Sequence, residues 1–195
     1  MRRPMRLLTF LAACVSSAIV ARAQSQAALP KPGPEVKKLA VMVGKFTNEG
    51  EVKAGAISPN SPAMKVSGTD ECRWTAGGFG LACTETVDIG GRKEVETYLV
   101  YYNPISKKYE EHGVRNTGGT ENQTGTVSGD TWTWPSEGFL AGKVFHTQYT
   151  MKFISTDSYE YTDEWGEGEK PMELGMTGKC TRVAATKPAT SKPAQ

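Results

Sequence analysis

The chain has little histidine and, past its amino terminus, no long apolar run. Its two histidines among 195 residues are His112 and His146, and neither has a second ligand at metal spacing. The pattern of a zinc or haem site is therefore missing, and no cofactor is implied. No serine lies in a Gly-x-Ser-x-Gly context, and two histidines give little material for a Ser or Cys triad. From Phe46 onward almost no stretch repeats at helical spacing, which excludes a helical bundle. Basic patches interleaved with aromatics are also missing, so a nucleic-acid partner has no electrostatic footprint. After the leader, no run approaches the roughly 20 apolar residues that a membrane span requires.

Met1 to Ala23 has a basic start, an apolar run from Leu7 to Val20, and Ala21-Arg22-Ala23 before Gln24. This is the layout of a secretory signal peptide, with cleavage expected after Ala23. Cleavage removes Arg2, Arg3, Arg6 and Arg22 from 23 basic residues facing 21 acidic ones, so the formal charge turns from +2 to −2. Residues 24–34 and 184–195 are rich in Ala, Pro and Lys without apolar periodicity, and read as a disordered linker and tail. One folded domain is expected over residues 35–183.

That domain consists of short runs rich in Val, Thr, Tyr, Phe and Trp, separated by turn residues such as Gly90-Gly91, Asn103-Pro104 and Thr156-Asp157. Ten such runs lie between Lys45 and Val183. Their connections are of the length that joins antiparallel neighbours, and a meander of many long strands hides its edges by closing. The expected fold is all-β, an antiparallel up-and-down barrel of about ten strands. Ahead of it, Val36, Leu39, Ala40 and Val43 recur at helical spacing behind Pro34, predicting a short helix.

Cys72 and Cys83 stand symmetrically about Gly77-Gly78. A hairpin centred on the glycines pairs Trp74 with Leu81, Cys72 with Cys83, and Asp70 with Glu85. Directly opposed strand residues have Cα atoms about 4.5 to 5.5 Å apart, a separation that a disulfide spans. Such a bond belongs to an oxidising compartment. Cys180 is left as the odd cysteine of the mature chain: a buried thiol, an alternative partner, or an intermolecular link.

Alternation assigns Phe145, Tyr149, Met151 and Phe153 to an inward face, with Tyr159, Tyr161 and Trp165, and with Met172, Leu174, Met176, Gly178 and Cys180. Asp70 and Glu85 then oppose each other on the face of both sulfurs. Two like charges in that position need water, a shared proton, or a cation such as Arg115. Asn48 and Asp163 are further inward polar residues.

The segments LAVMVGKF (Leu39 to Phe46), Cys72-Arg73-Trp74, Gly77-Gly78-Phe79, Cys83, Thr131-Trp132-Thr133-Trp134 and Met176-Thr177-Gly178-Lys179 resemble a bacterial secreted family, domain-of-unknown-function family 1579. Its members look like calycins, the lipocalin-type barrels, in which a Gly-x-Trp near the first strand packs at the closed end. Here that position is Gly44-Lys45-Phe46. The resemblance implies a barrel with room for a small apolar molecule, and transfers no catalytic residue.

The expected function is a secreted or periplasmic barrel that binds a small, largely apolar ligand inside. Trp74, Leu81, Tyr101, Tyr149, Met151, Tyr161 and Met176 are the candidate lining, and Asp70, Glu85 and Arg115 the candidate polar anchors. The alternatives are an enzyme, a hydrolase or isomerase working through Asp70 and Glu85, and a non-catalytic envelope interaction protein with a packed core.

Overall fold

The structure, a computed structural model, describes residues 30–140 and 143–184. The leader expected over 1–23, most of the linker and the tail from 185 onward lie outside the described residues. Pro34 opens a short helix, α1 (Pro34–Lys38), continued by a 3-10 turn over Leu39–Met42.

Ten strands follow: β1 (Gly44–Val52), β2 (Met64–Trp74), β3 (Gly80–Ile89), β4 (Arg92–Asn103), β5 (Lys108–Arg115), β6 (Thr120–Ser128), β7 (Thr131–Leu140), β8 (Lys143–Ser155), β9 (Ser158–Glu167) and β10 (Glu173–Arg182). Each pairs antiparallel with its sequence neighbour, and β1 pairs with β10 to close the barrel. No described helix is long and apolar enough to cross a membrane.

The β2–β3 hairpin has the expected register, with Cys72 opposite Cys83 and Asp70 opposite Glu85. The two cysteines are disulfide-bonded, with Cα atoms 4.1 Å apart. Its turn needs glycine: Gly77 and Gly78 have φ of 82° and 70°, in the left-handed region that a Cβ disfavours.

One end of the barrel is packed solid. Leu39, Phe46, Leu81 and Val100 are at most 2% exposed there, and the Tyr109 and Trp132 rings meet edge-on at 4.6 Å. Helix α1 shuts this end, and the Tyr109 hydroxyl donates to the Glu35 carbonyl at 3.0 Å. Phe46 lies under the Arg182 guanidinium, 4.4 Å from the ring centroid, while Arg182 donates to the Val41 and Val43 carbonyls. Cys180 is a free buried thiol in this cluster, and burial pushes its pKa up to about 12.

The inward set of β10 differs from expectation. A bulge between Leu174 and Met176 breaks the alternation, so Leu174 pairs with Glu164 of the outward set, and Met172 is 42% exposed ahead of the strand. The bulge places Gly175 under the Trp165 ring, where a Cβ would collide with the indole.

Candidate functional site

Above the packed end the barrel interior holds a partly open cavity of about 270 Å³. Its floor is apolar, made by Met42, Phe46, Val100, Met151 and the Cys72 end of the disulfide. Its walls are not. Seven carboxylate residues line it, Asp70, Glu85, Glu94, Glu96, Glu111, Glu121 and Asp163, and Arg115 is the only basic residue among the described lining.

The register explains how they meet. Asp70 pairs with Glu85, Glu85 with Glu96, and Glu96 with Arg115, so four consecutive strands, β2 to β5, carry one charged row across the inner wall. Arg115 Nε donates to Glu96 Oε2 at 3.0 Å, and its other branch pairs with Glu121. Gly113 makes the room, because a Cβ there would overlap the Glu96 carboxylate. The Tyr98 hydroxyl donates to Asp70 Oδ1 at 2.9 Å. On the far wall the Tyr161 hydroxyl donates to Asn48 Oδ1 at 2.9 Å, its ring lying over Gly50 and Gly178, where a Cβ would collide with it.

Burial of this many acids with one cation shifts their titration upward. Burial, opposed by the Tyr98 hydrogen bond, brings Asp70 to about 6. Glu85 rises to about 8, through burial first and then the charges of Asp70 and Glu96. Asp163 reaches about 7, through burial and Glu121, with Arg115 opposing. Burial likewise raises Glu96 and, more strongly, Glu111, each with Glu121 adding repulsion. Arg115 goes the other way from its own burial: Glu121 and Glu96 outweigh the desolvation and raise it. Near neutral pH several of these acids therefore hold their protons.

The structure brings Asp70, Glu85, Arg115, Tyr149, Met151, Tyr161 and Met176 together around the cavity. Three other residues expected in the lining lie elsewhere. Leu81 is fully buried in the packed end, below the cavity. Trp74 ends β2 beyond the last inward position at Cys72 and is 38% exposed. Tyr101 is on the outer surface, because the pairing of Cys83 with Tyr98 turns even-numbered β4 residues inward. There Tyr101 stacks on His112 at 5.8 Å and donates to Glu110 Oε2 at 2.6 Å.

Glu96, Glu111 and Glu121 escape a reading that looks for apolar faces, since β4, β5 and β6 each turn acidic residues inward. The signal that finds Glu96 is the hairpin arithmetic repeated at Gly90-Gly91: with Ile89 opposite Arg92, the same counting puts Glu85 opposite Glu96.

No family model and no curated protein matches the chain. Among solved structures, "Crystal Structure of Rv2717c from M. tuberculosis" is similar, with a TM-score of 0.56 and 16% identity over 78% of this chain and 99% of that one. "Structure of S-type Phycobiliprotein Lyase CPES from Guillardia theta" is similar at a TM-score of 0.51 and 9% identity, over 77% of this chain and 93% of that one. At these identities the likeness is one of fold alone: the chain shares an antiparallel barrel fold with both.

Proposed function

We propose that this protein is a secreted or periplasmic barrel that holds a small ligand in its interior, and that it belongs to the bacterial secreted family 1579 whose motifs it resembles. The buried Cys72–Cys83 disulfide supports an extracytoplasmic address, since such bonds persist in oxidising compartments. The observation that carries the binding reading is the cavity: one end of the barrel is sealed by α1 and aromatics, and a partly open pocket of about 270 Å³ remains above it, near the lower end of ligand-pocket sizes.

The lining amends the chemistry of the ligand. An apolar part suits the Met42, Phe46, Met151 end, while the carboxylate row calls for hydrogen-bond donors at the other. The ligand is thus amphiphilic rather than largely apolar. Native mass spectrometry of protein purified from its own host tests this: a retained small molecule is expected. A bare barrel that also takes up no amphiphilic probe contradicts it.

A second reading, an enzyme, draws on the split between Asp70 and Glu85. Two opposed carboxyl groups, one near 6 and one near 8, are arranged as a base and an acid at neutral pH. One structural neighbour is named a lyase. Asp70→Asn and Glu85→Gln, assayed against any substrate that screening returns, separate the readings: turnover unchanged in both variants ends the enzymatic one.

A further inference from the structure

The closed end of the barrel has an outer surface of its own character. Three segments far apart in the sequence meet there: α1 with its 3-10 turn, the β2–β3 turn and the β4–β5 turn. Pro32, just ahead of α1, packs beside Gly78 of the β2–β3 turn, and Tyr109, just past the β4–β5 turn, donates to the Glu35 carbonyl.

Each segment presents apolar side chains to solvent. Ile105 is 92% exposed in the β4–β5 turn, Phe79 is 41% exposed after Gly77-Gly78, Trp74 stands exposed where β2 ends, and Val41 is exposed on the 3-10 turn. Single exposed apolar residues are ordinary, whereas several gathered at one end of a domain mark an interaction surface.

The charge around them is one-sided. Residues 31–41, 73–80 and 103–108 hold six basic residues, Lys31, Lys37, Lys38, Arg73, Lys107 and Lys108, against one acid, Glu35, which Lys38 pairs at 2.7 Å. The other five are exposed and form no ion pair among the described residues. Adding Lys45 and Arg182, and Glu71, Glu110, Asp130 and Asp157, makes the whole end eight basic against five acidic. The chain after removal of its leader is formally −2, so this positive end comes from placement and not from composition.

Apolar tips among lysines fit a lipid surface better than a protein. Lysine is depleted at protein interfaces, whereas at a bilayer its stem lies along the apolar boundary while the ammonium reaches phosphate. Tryptophan is enriched at that same boundary.

We infer that the closed end docks peripherally on an anionic lipid bilayer, with Ile105, Phe79 and Trp74 entering the headgroup boundary and Lys37, Arg73, Lys107 and Lys108 on the lipid phosphates. The cavity end of the barrel then faces away from the membrane, so docking and interior binding are independent of each other.

Vesicle co-sedimentation and tryptophan quenching of the secreted chain, residues 24–195, test it. Vesicles of phosphatidylglycerol and phosphatidylethanolamine should bind at least about tenfold more tightly than phosphatidylcholine vesicles, and raised salt should release the protein. Lipids with brominated acyl chains should quench Trp74, an effect lost in Trp74→Phe, because Trp132 and Trp134 are buried inside and Trp165 lies at the other end of the barrel. Lys107→Glu with Lys108→Glu should weaken binding by about tenfold or more, and Ile105→Ser by about fivefold. Both changes fall at exposed turn positions, and unchanged unfolding midpoints show that the variants fold. Absent binding, equal binding to neutral vesicles, quenching that survives Trp74→Phe, or unchanged affinity in the folded variants overturns the inference. Binding of an acidic protein at this end without vesicle binding overturns it in favour of a protein partner. None of these outcomes touches the interior-binding reading.

Discussion

The two ends of the barrel interior obey opposite rules. At the α1 end, Phe46, Tyr109, Trp132, Phe153 and Tyr159 interlock, and polar groups such as the Tyr109 hydroxyl find partners at once. In the cavity, by contrast, Asp70, Glu85, Glu96 and Glu111 stand together with one arginine, and two acceptors have no partner. The first region supplies apolar burial and hence stability. The second opposes folding whenever its acids are charged, the pattern of a site kept for binding or chemistry rather than for packing. Stability and function are thus separated along the barrel axis, with the disulfide at their boundary: its sulfurs lie in the packed cluster, and Asp70 and Glu85 lie two residues away along each strand.

Substitutions at the two ends should therefore change stability in opposite directions. Phe46→Ala should lower it most, by about 3–5 kcal/mol in denaturant unfolding, because the ring is 1% exposed and the closed end has little freedom to collapse. Replacing Cys72 and Cys83 by Ser should cost about 3 kcal/mol, the loop-closure entropy for a sequence separation of 11, measured without reductant.

Glu85→Gln should act the other way and stabilise the protein at pH 8 by about 1 kcal/mol or more. Glu85 titrates near 8 when folded and near its ordinary 4.5 when unfolded, so the folded state holds the extra proton between those values. Its contribution is fully present below pH 4.5 and is lost as pH rises through 8. Unfolding midpoints of the unsubstituted protein should fall over that upper range, and the fall should flatten in Glu85→Gln. Gly113→Ala should instead lower stability by about 1–3 kcal/mol, because its Cβ overlaps the buried Glu96 carboxylate and crowds Tyr98. A structure of that variant should show Glu96 moved and its contact with Arg115 broken.

The fold was legible because three local signals agree on it. Turn residues cut the chain into strands of even length, side chains alternate along β8 and β9, and two glycines with two cysteines set the register of β2 and β3. Half of the charged row follows from that register alone. The rest needed a count carried across a second turn, Gly90-Gly91, against the pull of apolar residues. Val95, Leu99 and Tyr101 look like the buried face of β4, but its inward residues are Glu94, Glu96, Tyr98 and Val100. A strand that turns its acidic face inward defeats a rule based on hydrophobicity, and it does so where the cavity lies. Trp74 misleads for a different reason. Its parity points inward, but the strand ends there, so no wall remains to cover it.

The account turns on whether these acids are held protonated by their surroundings. Carboxyl-carbon NMR titration of Glu85 and Asp70 measures this directly. Midpoints near 8 and 6 without ligand are predicted. Midpoints in the ordinary carboxylate range in the ligand-free protein would contradict it.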